Sequence, residues 1–196
     1  MRRFILSLVV GLTLAAFAFP ASAQNPPEDR VLGRPDAPIT IIEYASLTCP
    51  HCAEFHKEIL PKVKAAYVDT GKAKLIYRDF PLDQYALKAA ALARCAPADR
   101  YFAFLDVLYQ QQNSWASAPD PLVPLARIGR LGGLSEAQFK TCMDDQALAD
   151  SILASRLVGA RDMQVESTPT IIVNGKKVSG IRSFEDLDKV LKPLAP

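Results

Sequence analysis

The sequence predicts an α/β fold that carries an inserted lobe of helices. β-branched and aromatic runs, which are typical of strands, occur at 39–45, 73–77 and 170–173. Between the second and third runs, from about 82 to 163, apolar residues recur at helical spacing and no strand pattern interrupts them. The order of strand, helix, strand, helical block, hairpin and helix indicates an α/β sheet with a helical insertion.

The chain begins with the pattern of a secretory signal peptide. Arg2 and Arg3 precede an apolar run from Phe4 to Phe19, and Ala21-Ser22-Ala23 follows as a small-residue cleavage site. An uncleaved membrane anchor is the alternative, although the run is short for a bilayer span. We therefore expect residues 1–23 to be a cleaved signal for general secretion.

The charge balance argues against several classes of partner. The chain has 23 lysines and arginines against 21 aspartates and glutamates, and two of the bases lie in the signal peptide. The mature chain therefore carries almost no net charge, and its bases are interleaved with acids and apolar residues. We expect neither nucleic-acid binding nor an electrostatic membrane patch.

A proline-rich lead-in precedes the folded domain. Residues 24–38 contain four prolines and are expected to be extended, so the domain should occupy 39–196. After the first strand, apolar residues at helical spacing predict a helix that ends at Gly71 and is kinked at Pro61.

The helical block shows three apolar stripes that we expect to face the core. Ser135 and Gln138 within it have the spacing of a capping box, which marks a helix start. The stripes consist of Tyr85, Ala89, Leu92 and Ala96, of Phe102, Leu105 and Tyr109, and of Leu148, Ala149, Ile152, Leu153, Leu157 and Ala160.

The C-terminal part is predicted to contain a hairpin and a closing helix. The strand at 170–173 leads into Asn174-Gly175, a dipeptide typical of tight hairpin turns, and Lys176-Lys177-Val178 follows as the partner strand. Apolar residues at helical spacing from Phe184 to Leu191 predict the helix.

The strongest functional signal is the segment Cys49-Pro50-His51-Cys52. Disulfide exchange needs one thiolate that attacks sulfur and a second thiol close enough to close the ring. At a helix start, free N–H groups and the helix dipole favour negative charge on the first cysteine, while the second lies about one turn inside. We predict Cys49 as the nucleophile and Cys52 as the resolving thiol, with His51 stabilising the Cys49 thiolate.

Other interpretations of the CxxC spacing predict different chemistry. Haem attachment requires histidine directly after the second cysteine, where this chain has Ala53. Zinc could use Cys49, Cys52 and His56, but the two remaining cysteines do not form a second clustered pair. A purely structural disulfide is uncommon at a helix start. We expect no metal and no bound cofactor, and zinc and a structural bridge remain as alternatives.

The second pair of cysteines lies in the helical block. Cys95 and Cys142 are each isolated and near a predicted helix end. We expect a structural disulfide between them, which would stabilise the fold by about 4 kcal/mol in the chain-entropy model. Free thiols or a regulatory pair are the alternatives.

Two segments resemble the DsbA family of thioredoxin-fold oxidoreductases. They are 43–52, which reads EYASLTCPHC, and 167–170, which reads STPT. The family also carries a helical insertion, so the resemblance covers essentially the whole mature chain and implies a thioredoxin-like fold. It implies further that Pro169 is the family's cis-proline, with Thr168-Pro169 lying against the CxxC and available to pair with an extended substrate.

The comparison with the family pattern also singles out one shared acidic residue and two positions at which this chain differs. Glu43 occupies the position of an acid beneath the active site, which implies that it relays the proton of Cys52, although an alternating strand could point it to water. Thr168 replaces the valine of the best-known oxidases and is typical of the isomerase branch. His56 stands where an acid is often found.

The prediction is therefore a periplasmic oxidase that donates the Cys49–Cys52 disulfide to reduced or unfolded exported proteins. The resemblance implies recharging by a DsbB-like membrane quinone reductase, and we expect a monomer. An isomerase or reductase kept reduced by a DsbD-like partner is the first alternative. A non-enzymatic chaperone or metal-binding module on the same fold is the second.

Overall fold

The computed structural model describes residues 25–196, so the predicted signal peptide lies outside the described residues. Within this range one sheet has the strand order β1-β3-β2-β4-β5. Strands β2 and β3 are parallel, whereas the other neighbouring pairs are antiparallel. The strands are β1 (Arg30–Leu32), β2 (Ile39–Ala45), β3 (Ala73–Asp79), β4 (Thr170–Val173) and β5 (Lys176–Val178).

A single helical crossover joins the parallel strands β2 and β3. It consists of α1 (Pro50–Glu54) and α2 (Leu60–Val63), with π-helical turns at Phe55–Ile59 and Lys64–Val68. Proline has no N–H to donate within a helix, and helix kinks occur at prolines and at π-bulges. Pro61 lies in α2 between the two π-helical turns, and the kink expected there stays a prediction.

The insertion between β3 and β4 consists of helices joined by loops and contains no strand, as its periodicity predicts. Ser135 and Gln138 form the expected capping box at the start of α7. The helices are α3 (Gln84–Cys95), α4 (Tyr101–Gln110), α5 (Gln112–Ala116), α6 (Leu122–Leu131), α7 (Glu136–Asp144) and α8 (Gln146–Asp162), and α9 (Phe184–Leu191) closes the domain. Every helix of residues 25–196 is too short or too polar to cross a membrane.

The apolar residues form two large clusters and a small one. In the first, the insertion packs around Leu92, Leu105 and Trp115. In the second, the crossover helix and α9 pack against Ile41 and Leu75 of the central strands. The small cluster contains Tyr44 and Ile172, which by strand alternation point to the opposite face of the sheet. The predicted fold class, a thioredoxin-like α/β fold with an inserted helical lobe, is the observed architecture.

Two details differ from the sequence expectation. The sheet begins inside the lead-in rather than after it, because β1 pairs antiparallel with β3 at the edge of the sheet. The stripe expected on α8 is wrong in part, because Leu153 and Leu157 are exposed. The buried face of that helix contains Ile152, Ser155 and Gly159 instead.

Candidate active site

The loop after β2 places Cys49 at the start of the crossover helix. Cys49 is the N-cap of α1 and has extended backbone angles, and Pro50 occupies the first helical turn, where no N–H donor is required. The N–H of Cys49 donates to the carbonyl of Ser46 at 3.1 Å, and the N–H of Ala53 donates to the carbonyl of Cys49 at 3.2 Å. The first cysteine therefore lies against the free N–H groups of the helix.

The two cysteines of the motif are free thiols with opposite electrostatic environments. A hydrogen bond from the Cys52 thiol is the largest factor that lowers the pKa of Cys49, to about 5, and the backbone N–H groups of His51 and Cys52 also contribute. Burial raises the pKa of Cys52 well above its ordinary value, as do its hydrogen bond to Cys49 and the charge of Glu43. At neutral pH the site therefore favours a Cys49 thiolate beside a Cys52 thiol.

The loop before β4 brings Thr168 and Pro169 to the first cysteine. The Thr168–Pro169 peptide bond is cis. The Cys49 thiol donates to the carbonyl oxygen of Thr168 at 3.3 Å. Among the described residues the buried Thr168 hydroxyl has no hydrogen-bond partner, and it can turn toward Cys49 once that thiol has lost its proton. A backbone and a side-chain group of Thr168 thus face the reactive sulfur.

The imidazole of His51 lies at the protein surface, and its effect on the Cys49 thiolate stays a prediction. Its side chain is 81% exposed, and its Nδ1 lies 3.5 Å from Oε2 of Glu54, on the next turn of the helix. His51 acts on Cys49 through its backbone N–H, which lowers the pKa of the thiol.

Glu43 points into the protein rather than to water. It is completely buried, and its Oε2 lies 3.0 Å from Nε2 of His56, which is also buried. The His56 ring stacks on Tyr109 of α4 with 4.0 Å between the ring centroids. The Tyr109 hydroxyl shares a 2.8 Å hydrogen bond with that of Tyr77 on β3. A polar layer therefore lies beneath the two cysteines.

Sequence reasoning missed two residues that support the site. His56 was expected only as a departure from the family pattern or as a zinc ligand. Gln112 of α5 was not singled out, yet its buried side chain donates to the carbonyl oxygens of Leu47 and Cys49. Neither contact can be predicted from a local pattern, because each joins residues that are distant in the chain. Gln112 nevertheless continues the apolar stripe of Leu105 and Tyr109 at helical spacing, and a polar residue on a core face is the signal that could have found it.

The second cysteine pair is a disulfide in the structure. Cys95 at the end of α3 and Cys142 in α7 are bonded, with a Cα–Cα distance of 6.2 Å. The bond joins two helices of the insertion and lies apart from the CxxC. Across residues 25–196, no group of three or more His, Cys, Asp or Glu side chains could hold a metal ion, so the proposed ligands of zinc are not gathered into such a group.

A groove of about 810 Å³ runs beside the proline loop. The crossover helix contributes one wall, and the segment from β5 to α9 contributes another. Its surface combines apolar and charged side chains, among them Phe55, Ile59, Ile181, Glu54, Lys177 and Arg182. The groove can therefore accommodate an extended chain of mixed composition next to Thr168 and Pro169.

Fold and site together define a DsbA-like protein of the thioredoxin fold. The sheet, the helical insertion, the CxxC at a helix start and the facing cis-proline loop are all present. A family model described as Thioredoxin matches residues 25–193, and the chain belongs to this family.

Individual relatives agree with that assignment. The crystal structure of Wolbachia pipientis alpha-DsbA1 matches with a TM-score of 0.80 and 35% identity, over 86% of this chain and 91% of that one. A Rickettsia typhi protein with the provisional name protein-disulfide oxidoreductase is 35% identical over 75% of this chain and 55% of its own length. Disulfide bond formation protein D of Bacillus subtilis is 25% identical over 83% of this chain and 75% of its own. The chain thus spans little more than half the length of its rickettsial relatives.

Proposed function

We propose that this protein is a periplasmic thiol–disulfide oxidoreductase that donates a disulfide to exported proteins through Cys49 and Cys52. The observation that carries this proposal is the asymmetry of the two thiols, one lowered to a pKa of about 5 and the other raised by burial. A stabilised thiolate favours the reduced protein, which makes the corresponding disulfide a strong oxidant. The names of the rickettsial and Bacillus relatives support the same activity.

The reaction follows from this asymmetry. A substrate thiolate attacks Sγ of Cys49 in the oxidised protein, the Cys49–Cys52 bond breaks, and a mixed disulfide forms at Cys49. Cys52 leaves as a thiolate and takes up a proton, because its buried position strongly favours the thiol. A second substrate thiolate then attacks the substrate sulfur of the mixed disulfide and releases the Cys49 thiolate. The substrate loses two electrons and the protein gains them.

Two neighbouring elements are assigned supporting roles in this proposal. The groove beside Thr168 and Pro169 holds an extended substrate segment, whose main chain pairs with the backbone before the proline. Glu43 relays the proton that Cys52 gains or loses, and its influence on the pKa of Cys52 supports this role. The proposed location after removal of residues 1–23 is the periplasm, and recharging is assigned to a DsbB-like quinone reductase.

The activity is tested with the oxidised protein and a reduced, unfolded protein substrate. We expect disulfides to form in the substrate, and both Cys49→Ala and Cys52→Ala to abolish the reaction, because neither variant can form the Cys49–Cys52 disulfide. Reduced Cys52→Ala incubated with the disulfide-bonded form of the substrate should instead accumulate a mixed disulfide at Cys49, because the Cys49 thiolate attacks the substrate disulfide and no second thiol resolves the product. A matched double variant, Cys95→Ala with Cys142→Ala, removes the other disulfide and should retain the activity. Full activity in the Cys49→Ala variant would refute the proposal.

The direction of electron flow needs a separate experiment, because Thr168 before the proline also suits an isomerase or reductase. Thiol trapping in the native cells, with peptide mapping, reports the redox state of Cys49 and Cys52. A mainly oxidised pair supports the oxidase. A mainly reduced pair would assign the protein to the isomerase or reductase class, with a DsbD-like electron donor.

A further inference from the structure

Gln112 connects the helical insertion to the loop that carries the nucleophile. It is the first residue of α5 and is only 2% exposed. Its Nε2 donates to the carbonyl oxygen of Leu47 at 2.8 Å and to that of Cys49 at 2.9 Å. Both partners are carbonyl oxygens, which only accept hydrogen bonds, so the end of the side chain that faces them must be the NH₂ group and not the amide oxygen. This fixes the orientation of the Gln112 amide.

The insertion holds Gln112 in place. Helix α4 ends at Gln110 and α5 begins at Gln112, and the backbone at Gln111 departs from helical angles. The helical hydrogen-bond pattern nevertheless continues, because the N–H of Trp115 donates to the carbonyl of Gln111 at 3.1 Å. The indole N–H of Trp115 donates to the carbonyl of Leu108 at 2.8 Å, and Trp115 is completely buried. This anchor ties α5 back to α4 and fixes the side from which Gln112 reaches the loop.

The two carbonyls that Gln112 binds lie on either side of Thr48 and belong to the peptide segment that sets the position of Cys49. The carbonyl of Cys49 also accepts the N–H of Ala53, the bond that begins the crossover helix. A rotation of the loop would move the Cys49 sulfur relative to the N–H groups of His51 and Cys52. The Gln112 amide also directs its positive end toward two carbonyl oxygens near a sulfur that carries negative charge.

We propose that Gln112 is a positioning residue for Cys49, through which the helical insertion stabilises the reactive thiolate. The inference rests on the proposed function, in which Cys49 reacts as a thiolate. Gln112 does not touch the reacting sulfur. It acts on the loop and on the two carbonyls that face it.

The test compares Gln112→Met with a matched variant of the same segment, Trp115→Phe. Methionine keeps the length of the side chain and removes both donors, whereas phenylalanine removes the anchor of α5 and leaves the Gln112 amide. The readout is the pH dependence of alkylation of Cys49 by iodoacetamide, with the modified peptide identified by mass spectrometry. Circular dichroism and thermal melting report folding.

In Gln112→Met we expect the pKa of Cys49 to rise by about one unit, which is a tenfold loss of thiolate stabilisation. Trp115→Phe loosens the anchor of α5 but keeps both donors of Gln112, so it should lower the melting temperature and raise that pKa by less than Gln112→Met does. An unchanged pKa in Gln112→Met, or an equal rise in both variants, would overturn the proposal. Should Gln112→Met fail to fold, Gln112→Asn takes its place, because it keeps the amide but can reach only one of the two carbonyls. We then expect a smaller rise in the pKa of Cys49, and no rise would refute the proposal.

The readout does not depend on disulfide exchange. If the wild-type protein does not oxidise substrates, the proposed function fails while the effect of Gln112 on Cys49 can still be measured. If it does oxidise them and Gln112→Met leaves the pKa of Cys49 unchanged, only the positioning role fails.

Discussion

Replacing Cys49 by alanine should remove a pH-dependent part of the stability of the reduced protein. In the folded protein the pKa of Cys49 is lowered to about 5, whereas a thiol in an unfolded chain has a pKa of about 8.5. A group with a lowered folded pKa stabilises the fold fully above its unfolded pKa, and this contribution is lost as the pH falls through the folded value. The reduced protein should therefore lose stability between pH 8.5 and pH 5.

The magnitude follows from the two pKa values. Linkage gives a contribution of about 3 kcal/mol at pH 7 and about 0.4 kcal/mol at pH 5. Cys49 is only 6% exposed, but electrostatic interactions are strongly screened even at buried sites, so we expect a change of about 1–2 kcal/mol between these pH values. Cys52 adds little over this range, because its thiol is protonated in both the folded and the unfolded state.

The assay is denaturant unfolding of the reduced wild type and of reduced Cys49→Ala at several pH values between 5 and 8. Taking the difference between the two proteins cancels the titration of every group they share. The wild-type advantage should shrink by about 1–2 kcal/mol from pH 7 to pH 5. A constant difference, or one that grows as the pH falls, would refute a stabilised Cys49 thiolate.

Three further variants test the surroundings of the site. Thr168→Val removes a hydroxyl that lowers the pKa of Cys49, so alkylation of that thiol should require a higher pH; an unshifted profile would contradict this. Cys95→Ser with Cys142→Ser should lower the free energy of unfolding by up to about 4 kcal/mol in denaturant titration, and equal stability would argue against a structural role. His56→Leu leaves the buried carboxylate of Glu43 unpaired and should lower the free energy of unfolding by about 3–5 kcal/mol. Replacing Glu43 by an apolar residue in the same variant should restore that stability. A loss of stability that persists in the double variant would count against this explanation.

The sequence predicted strands β2 to β5 and their order along the chain because their signals are local, whereas β1 in the lead-in was not predicted as a strand. Ile39–Ala45 is nearly continuous in β-branched and aromatic residues, and it forms the central strand with parallel and antiparallel neighbours. Asn174-Gly175 formed the predicted hairpin turn, with left-handed backbone angles at both residues. Each of these patterns needs only a few consecutive residues to specify its structure.

Helix α8 shows why the predicted core face was wrong in part. Apolar residues occur around most of its circumference, so periodicity alone does not select one face. Gly159 lies so near Tyr44 that a Cβ would stand 2.6 Å from the ring. The helix therefore approaches the sheet through small residues, and the larger Leu153 and Leu157 remain at the surface.

The polar support of the site could not be predicted, because it depends on contacts between distant segments. His56 has no distinguishing sequence pattern, and its importance follows only from its buried pairing with Glu43. Gln112 is one of three consecutive glutamines, and it continues the buried helix face of Leu105 and Leu108 at helical spacing. Only the folded structure shows that its amide binds the carbonyls of Leu47 and Cys49. Tertiary packing decides such roles, so a single sequence carries no record of them.

The motif determines which atoms react, and the insertion determines their environment. Gln112 holds the two carbonyls around Thr48, and Asp83 accepts a 2.6 Å hydrogen bond from the Thr48 hydroxyl while it also caps α3. Tyr109 stacks on the His56 ring that pairs with Glu43. All three supporting side chains come from the insertion and none from the CxxC. Two proteins with the same four residues at the helix start should therefore differ in thiolate stability whenever their insertions differ at these contacts.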